Sequence, residues 1–318
     1  NLTVGSSAAA DAEFQGSVTA DTITVDAGSG AADATFSGSV DADTALNVKA
    51  GGSNDASATF ESGVTADNVT VRGNSSQTAN ARFQAKLDAT TGGGTDGVTL
   101  DDGGGTAEIQ FSGGSQSITG AIVGDSGGEG SVIVDGSGVK FNDEIGGTPV
   151  NDFTVENQGE ANISENITTV DGNIAINNGG TVAASGGTDV LLDAQGSGVV
   201  DIDGRLETRV DSGKKVKIKS DDGPIELGNA TIEAGSQVKL KDGLDVDGNA
   251  TITINNRSAF DPTNNAVIDA NNNAVTISNT LHVKLKDGSN SLGDGDKITV
   301  IDNEDGGDNL KNKIDDDN

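Results

Sequence analysis

Five phenylalanines, Phe14, Phe36, Phe60, Phe83 and Phe111, recur 22, 24, 23 and 28 residues apart over the first third of the chain. The same short phrase returns around them. Ala12-Glu13-Phe14-Gln15-Gly16-Ser17-Val18-Thr19-Ala20-Asp21 is followed by Ala34-Thr35-Phe36-Ser37-Gly38-Ser39-Val40-Asp41-Ala42-Asp43, then by Ala58-Thr59-Phe60-Glu61-Ser62-Gly63-Val64-Thr65-Ala66-Asp67. A repeat of this length is one supersecondary unit, which buries its apolar face only against its neighbours. The chain is therefore expected to fold as a stack.

Composition says how thick the stack can be. Of 318 residues only 33% are hydrophobic, below the roughly 45–50% of an ordinary globular domain. Trp, Tyr, Met and Cys are absent and Phe occurs eight times. So few large side chains fill only a thin core, and a thin core implies an elongated shape. The net charge is −31, of which residues 1–200 carry −22 and residues 201–318 carry −9. Such a surface repels nucleic acid and anionic membranes. Low hydrophobicity with high charge also marks disordered chains, but here Val, Ile, Leu and Thr fall in alternating runs rather than scattered. No apolar stretch approaches the ~18 residues needed to cross a bilayer as a helix. Without cysteine there are no disulfides and no thiolate chemistry. The sequence begins at Asn1 rather than Met, and a removed signal peptide is the expectation.

Helical periodicity is missing and 47 glycines punctuate the chain. Short alternating runs are everywhere: Thr22-Ile23-Thr24-Val25, Asn68-Val69-Thr70-Val71, Ser131-Val132-Ile133-Val134, Lys215-Val216-Lys217-Ile218-Lys219, Gln237-Val238-Lys239-Leu240-Lys241, Ala250-Thr251-Ile252-Thr253-Ile254 and Lys297-Ile298-Thr299-Val300. Each reads as a strand with one buried and one wet face, closed by Gly, Asn or Asp-Gly turns. Three graded sections of one elongated domain are discernible: the regular repeat over 1–118, a Gly-rich stretch over 119–200, and a short-strand section with an acidic tail over 201–318.

Two or three short strands with their turns use about 18–25 residues, matching the repeat, so an all-β solenoid of 22–24 residues per coil is predicted. About fourteen coils at ~4.8 Å each give a rod on the order of 65 Å long. In it the five phenylalanines form an interior ladder, and Val18, Val40, Val64 and Leu87 form a second. A tandem β-sandwich is the competitor, above all for residues 201–318, because strands every 8–12 residues also mark that fold.

The run from Phe14 to Gly28, Phe-x-Gly-Ser-Val-Thr-Ala-Asp-x-Ile-Thr-Val-x-Ala-Gly, resembles the Gly/Thr/Val repeats of bacterial autotransporter passengers and large surface adhesins. It is also similar to segments of phage tail fibres. The resemblance covers the first third of the chain and implies an exported, cell-surface or fibrous role. It carries no functional residues over.

Candidate chemistry is sparse. His282 lies in the alternating run Thr280-Leu281-His282-Val283-Lys284-Leu285, opposite its apolar members, and is expected on the wet face. Carboxylate pairs occur at Asp101-Asp102, Asp143-Glu144, Asp221-Asp222, Asp201 with Asp203, and Asp245 with Asp247. Acid–base glycosidases use such pairs together with a sugar platform, generally aromatic, which a chain without Trp or Tyr lacks. No enzyme activity is expected. Calcium is the better match to acidic Gly/Asn-rich turns. The densest candidate set is Asp294, Asp296, Asp302, Asp305 and Asp308, weighed against plain solvated turns. Gly92-Gly93-Gly94 and Gly103-Gly104-Gly105 lack the Lys-Ser/Thr ending of a phosphate loop.

The expected function is therefore structural: a self-assembling subunit of an extracellular filament, sheath or surface layer. Bare strands around Leu2 and Val4 at one end, and Ile298 and Val300 at the other, are the expected head-to-tail contacts with identical subunits. No nucleic acid, membrane insertion or small-molecule substrate is expected. The alternative is a monomeric adhesin or passenger module, or a phage-fibre-like protein. Its candidate contact surface is the basic cluster Arg205, Arg209, Lys214, Lys215, Lys217 and Lys219.

Overall fold

The computed structural model describes residues 1–5, 9–90, 97–185, 188–208, 214–241, 243–254, 268–269, 275–278, 280–285 and 301–302. Every element in them is a β-strand, and every strand pairing is parallel. The one antiparallel contact among the described residues is an isolated bridge between Asn74 and Gln77 in a turn. Antiparallel sheets are what a sandwich needs, so the sandwich expectation for the later section does not hold for the described residues. The fold is a β-solenoid.

Each coil visits three faces in turn. The first face begins with Ala10–Phe14, Ala32–Phe36 and Ala56–Phe60 and forms one sheet of twelve strands. The second and third faces are joined in the early coils, because Val18–Asp26, Val40–Lys49 and Val64–Arg72 each turn a corner and serve both. Register shifts between Ala20 and Thr22, and between Ala42 and Ala45, mark that corner. Twelve rungs at ~4.8 Å make the first face about 50 Å long. Strands Ser117–Thr119 and Val200–Ile202 run across the limits drawn between the three sequence sections, and the ladders continue through both.

Inside, alternate residues line up in columns. On the first face, Phe14, Phe36, Phe60, Phe83 and Phe111 are register partners. The first four pairs of rings stack at 4.8, 5.1, 4.8 and 5.9 Å. The column continues through Val134, Val155, Ile176, Ile202, Leu227, Val246 and Ile277. Val18, Val40, Val64 and Leu87 form the second ladder, which runs on through Ile118, Phe141 and Ile163.

Neighbouring columns compensate in volume. Beside Phe36, Phe60 and Phe83 stand Ala34, Ala58 and Ala81; the same inward position holds Ile109 beside Phe111, then Val132 and Phe153 beside Val134 and Val155. A close-packed interior requires this exchange, since a missing ring leaves either a void or a larger neighbour.

The turns contribute more than solvation. The Asp55 carboxylate accepts the Thr78 N–H at 2.7 Å, Asp152 accepts the Asn173 N–H at 2.7 Å, and the Asn173 side chain accepts the Val199 N–H at 3.0 Å. In each case a side-chain oxygen in one coil satisfies a backbone donor in the next, at a corner where the ladder is interrupted. The wealth of Asp and Asn in turns is thus partly structural.

Candidate functional site

Outward positions form columns just as inward ones do, and two columns in the later coils carry concentrated charge of opposite sign. Strands Val200–Ile202, Ile225–Leu227 and Leu244–Val246 place Asp201, Glu226 and Asp245 on consecutive rungs of the first face. Asp203 and Asp247 follow at the corner. The two carboxylate pairs noted in the sequence are therefore brought together, with Glu226 between them. Burial pushes the Asp201 carboxyl above its ordinary value, and the charges of Asp203 and Asp247 push it further. Glu226 rises for the same reasons, burial first and then Asp201, Asp245 and Asp247. The Asp245 Oδ1 is buried and has no hydrogen-bond partner, whereas Asp203 accepts the Asn229 N–H at 3.1 Å.

On the third face of the same coils, Lys215–Ser220 and Gln237–Lys241 pair in register, which puts Lys239 on Lys217 and Lys241 on Lys219. Lys217 reaches Asp189 at 3.2 Å; Lys219 reaches Asp193 at 3.2 Å and Asp221 at 2.6 Å. Among the described residues Lys239 and Lys241 make no ion pair. The basic cluster read from the sequence is split. Arg205 lies on the second face, bound to Glu207 and, at 3.3 Å, to Glu233. Arg209 lies outside the described residues.

A third arrangement was not legible in sequence. Asp101, Asp125 and Glu129 bring carboxylate oxygens within 4.8 Å of one another. Asp101 already pairs with Arg72 at 3.1 Å, and Glu129 accepts the Ser126 N–H at 2.9 Å. Calcium takes six to eight oxygens, and this partly satisfied trio does not supply a closed set. Of the calcium residues expected from sequence, Asp294, Asp296, Asp305 and Asp308 lie outside the described residues, and for Asp302 only the strand Ile301–Asp302 is described. His282 is exposed on strand Thr280–Leu285 while Leu281 and Val283 pack on the core, as its alternation predicts.

The self-association residues divide likewise. Leu2 and Val4 lie on strand Leu2–Gly5, which among the described residues pairs only with Val18–Asp26. Ile298 and Val300 are outside the described residues. In the first coil Phe14 and Val18 are only partly buried, whereas their partners one coil later, Phe36 and Val40, are 0% and 2% exposed.

Comparison with protein-family models, with curated proteins and with solved structures finds no match to this chain.

Proposed function

We propose that the chain is a structural subunit of an extracellular filament, sheath or surface layer, which associates head to tail with identical copies. The observation that carries this reading is the outer edge of the first coil. Among the described residues, Leu2–Gly5, Ala10–Phe14 and residues 18–20 pair on one side only. Unpaired strand edges recruit further strands. The cross-section also offers Leu2, Phe14 and Val18, which an added coil would cover as the second coil covers its own equivalents. Contact between unlike ends does not close and therefore propagates. The resemblance to surface-protein repeats and the acidic composition support an exterior location. With −31 charges per chain, end-to-end association must overcome repulsion, so salt or calcium promotes it.

The test is sedimentation velocity of the chain and of Ala12→Lys, which sets a charge on the uncovered cross-section. At about 0.5 M NaCl, where repulsion is screened, the wild type forms species that grow with concentration, and the variant remains a single rod with an unchanged melting temperature. Single rods of wild-type protein at every concentration and salt would favour a monomeric binding module instead.

A further inference from the structure

Two like-charge columns sit on different faces of the same coils, and each is electrostatically unfavourable within its own chain. Like charges on adjacent rungs of a sheet repel. Lys217 and Lys219 relieve this with Asp189, Asp193 and Asp221, and Lys241 has Asp269 as its register partner on the next rung, but Lys239 makes no ion pair among the described residues. On the first face nothing positive stands on the rungs of Asp201, Glu226 and Asp245, and the rungs before them hold Ala175 and Thr154, small and uncharged. Both columns climb the solenoid by one rung per coil, because backbone hydrogen bonding sets the step on every face.

We propose that these columns are the two halves of one lateral contact: the third face of one copy, through Lys239 and Lys241 with Lys217 and Lys219, receives the column Asp201, Glu226 and Asp245 on the first face of a second copy. The match is one of charge and of period. Two such rods side by side offer an ammonium and a carboxylate at the same axial interval, so successive rungs pair together. The contact lies where the chain's repulsion is weakest, since residues 201–318 carry −9 against −22 for residues 1–200. Its two halves occupy different faces, so it is heterologous and generates a row of rods rather than a closed dimer. This lateral contact is independent of the end-to-end one and depends on salt in the opposite sense, because screening weakens attraction between complementary patches.

The experiment uses the full chain carrying Ala12→Lys, so that only lateral association is read. Sedimentation velocity is run at about 20 mM and about 0.5 M NaCl, on either side of the ~8 Å Debye length of physiological ionic strength. Association is expected at low salt and its loss at high salt. Lys239→Glu/Lys241→Glu and Glu226→Lys/Asp245→Lys are each expected to abolish it when alone, and an equimolar mixture of the two to restore it. The neutral variant Lys239→Gln/Lys241→Gln, expected to weaken association at low salt, serves if a reversed variant does not fold. Single rods at both salt concentrations, or reversed variants that associate as well as their parent, would overturn the proposal.

Discussion

Phe111 and Phe141 meet edge to face, with ring centroids 5.2 Å apart and planes at 84°, although they belong to different faces of the solenoid. The four ring pairs before them are stacked along one face, with interplanar angles of 6° to 26°. At this point the aromatic crosses the interior. Phe141 takes the place held by Val18, Val40 and Val64 in earlier coils, and the first face continues with Val134. The interior keeps its volume while its occupants change sides.

The stacked rings predict a steep dependence of stability on position. Phe60, fully buried between two rings, is expected to cost about 3–5 kcal/mol when changed to Ala, by lost transfer energy and the cavity left. Phe14→Ala, on the partly covered first coil, costs less. Urea denaturation of the two variants at low protein concentration checks the order.

Volume compensation predicts non-additivity. Ala81→Ile alone overpacks the interior by about 1–3 kcal/mol, and Phe83→Val alone leaves a void. Together they put an Ile beside a Val, close to the Val132–Val134 pairing found two coils later, whereas one coil on Ile109 stands beside Phe111. The double variant is expected to be less destabilised than the sum of the singles, measured as a double-mutant cycle by denaturation. Additive losses would mean that the two columns do not share space.

Gly130 predicts a site intolerant of even a methyl group. Its φ is +78°, and a Cβ there would stand 2.1 Å from the Leu100 Cβ. It also follows a column of inward alanines that ends with Ala107. Gly130→Ala is expected to lower the melting temperature sharply. At Gly52, where an added Cβ meets nothing within 4 Å, the same change is near neutral.

The stacked carboxylates predict stability that increases on mild acidification. Asp201 and Glu226 hold their protons more tightly folded than unfolded. The folded chain therefore takes up protons first, and stability rises as pH falls from the raised folded values toward the ordinary carboxylate range. Asp88 acts oppositely. Its hydrogen bonds from Lys86 and Thr90 lower its value, so its contribution is lost only below that range. Thermal melts between about pH 7 and about pH 5, above the ordinary values near 4, should show the rise in wild type and a smaller one in Glu226→Gln.

Much of the fold was legible in the early coils because one residue type, Phe, marked one column. After Phe111 the same position recurs at Val134, Val155 and Ile176, spaced 23, 21 and 21 residues, but Val and Ile recur in other inward columns as well and so mark none. The charged columns were hidden for a different reason. Asp201, Glu226 and Asp245 are separated by 25 and 19 residues, and only the unequal lengths of the intervening turns bring them onto one line. Arg205 and Lys215 look adjacent in sequence, yet a corner places them on different faces.

Cryo-electron microscopy of the concentrated wild-type chain reads the end-to-end contact itself. Fibres are expected in which the ~4.8 Å rung spacing runs unbroken across subunit junctions, with strand Ala10–Phe14 of each copy paired on both sides. Separate rods about 50 Å long, with that strand uncovered at every concentration and salt, would contradict that contact.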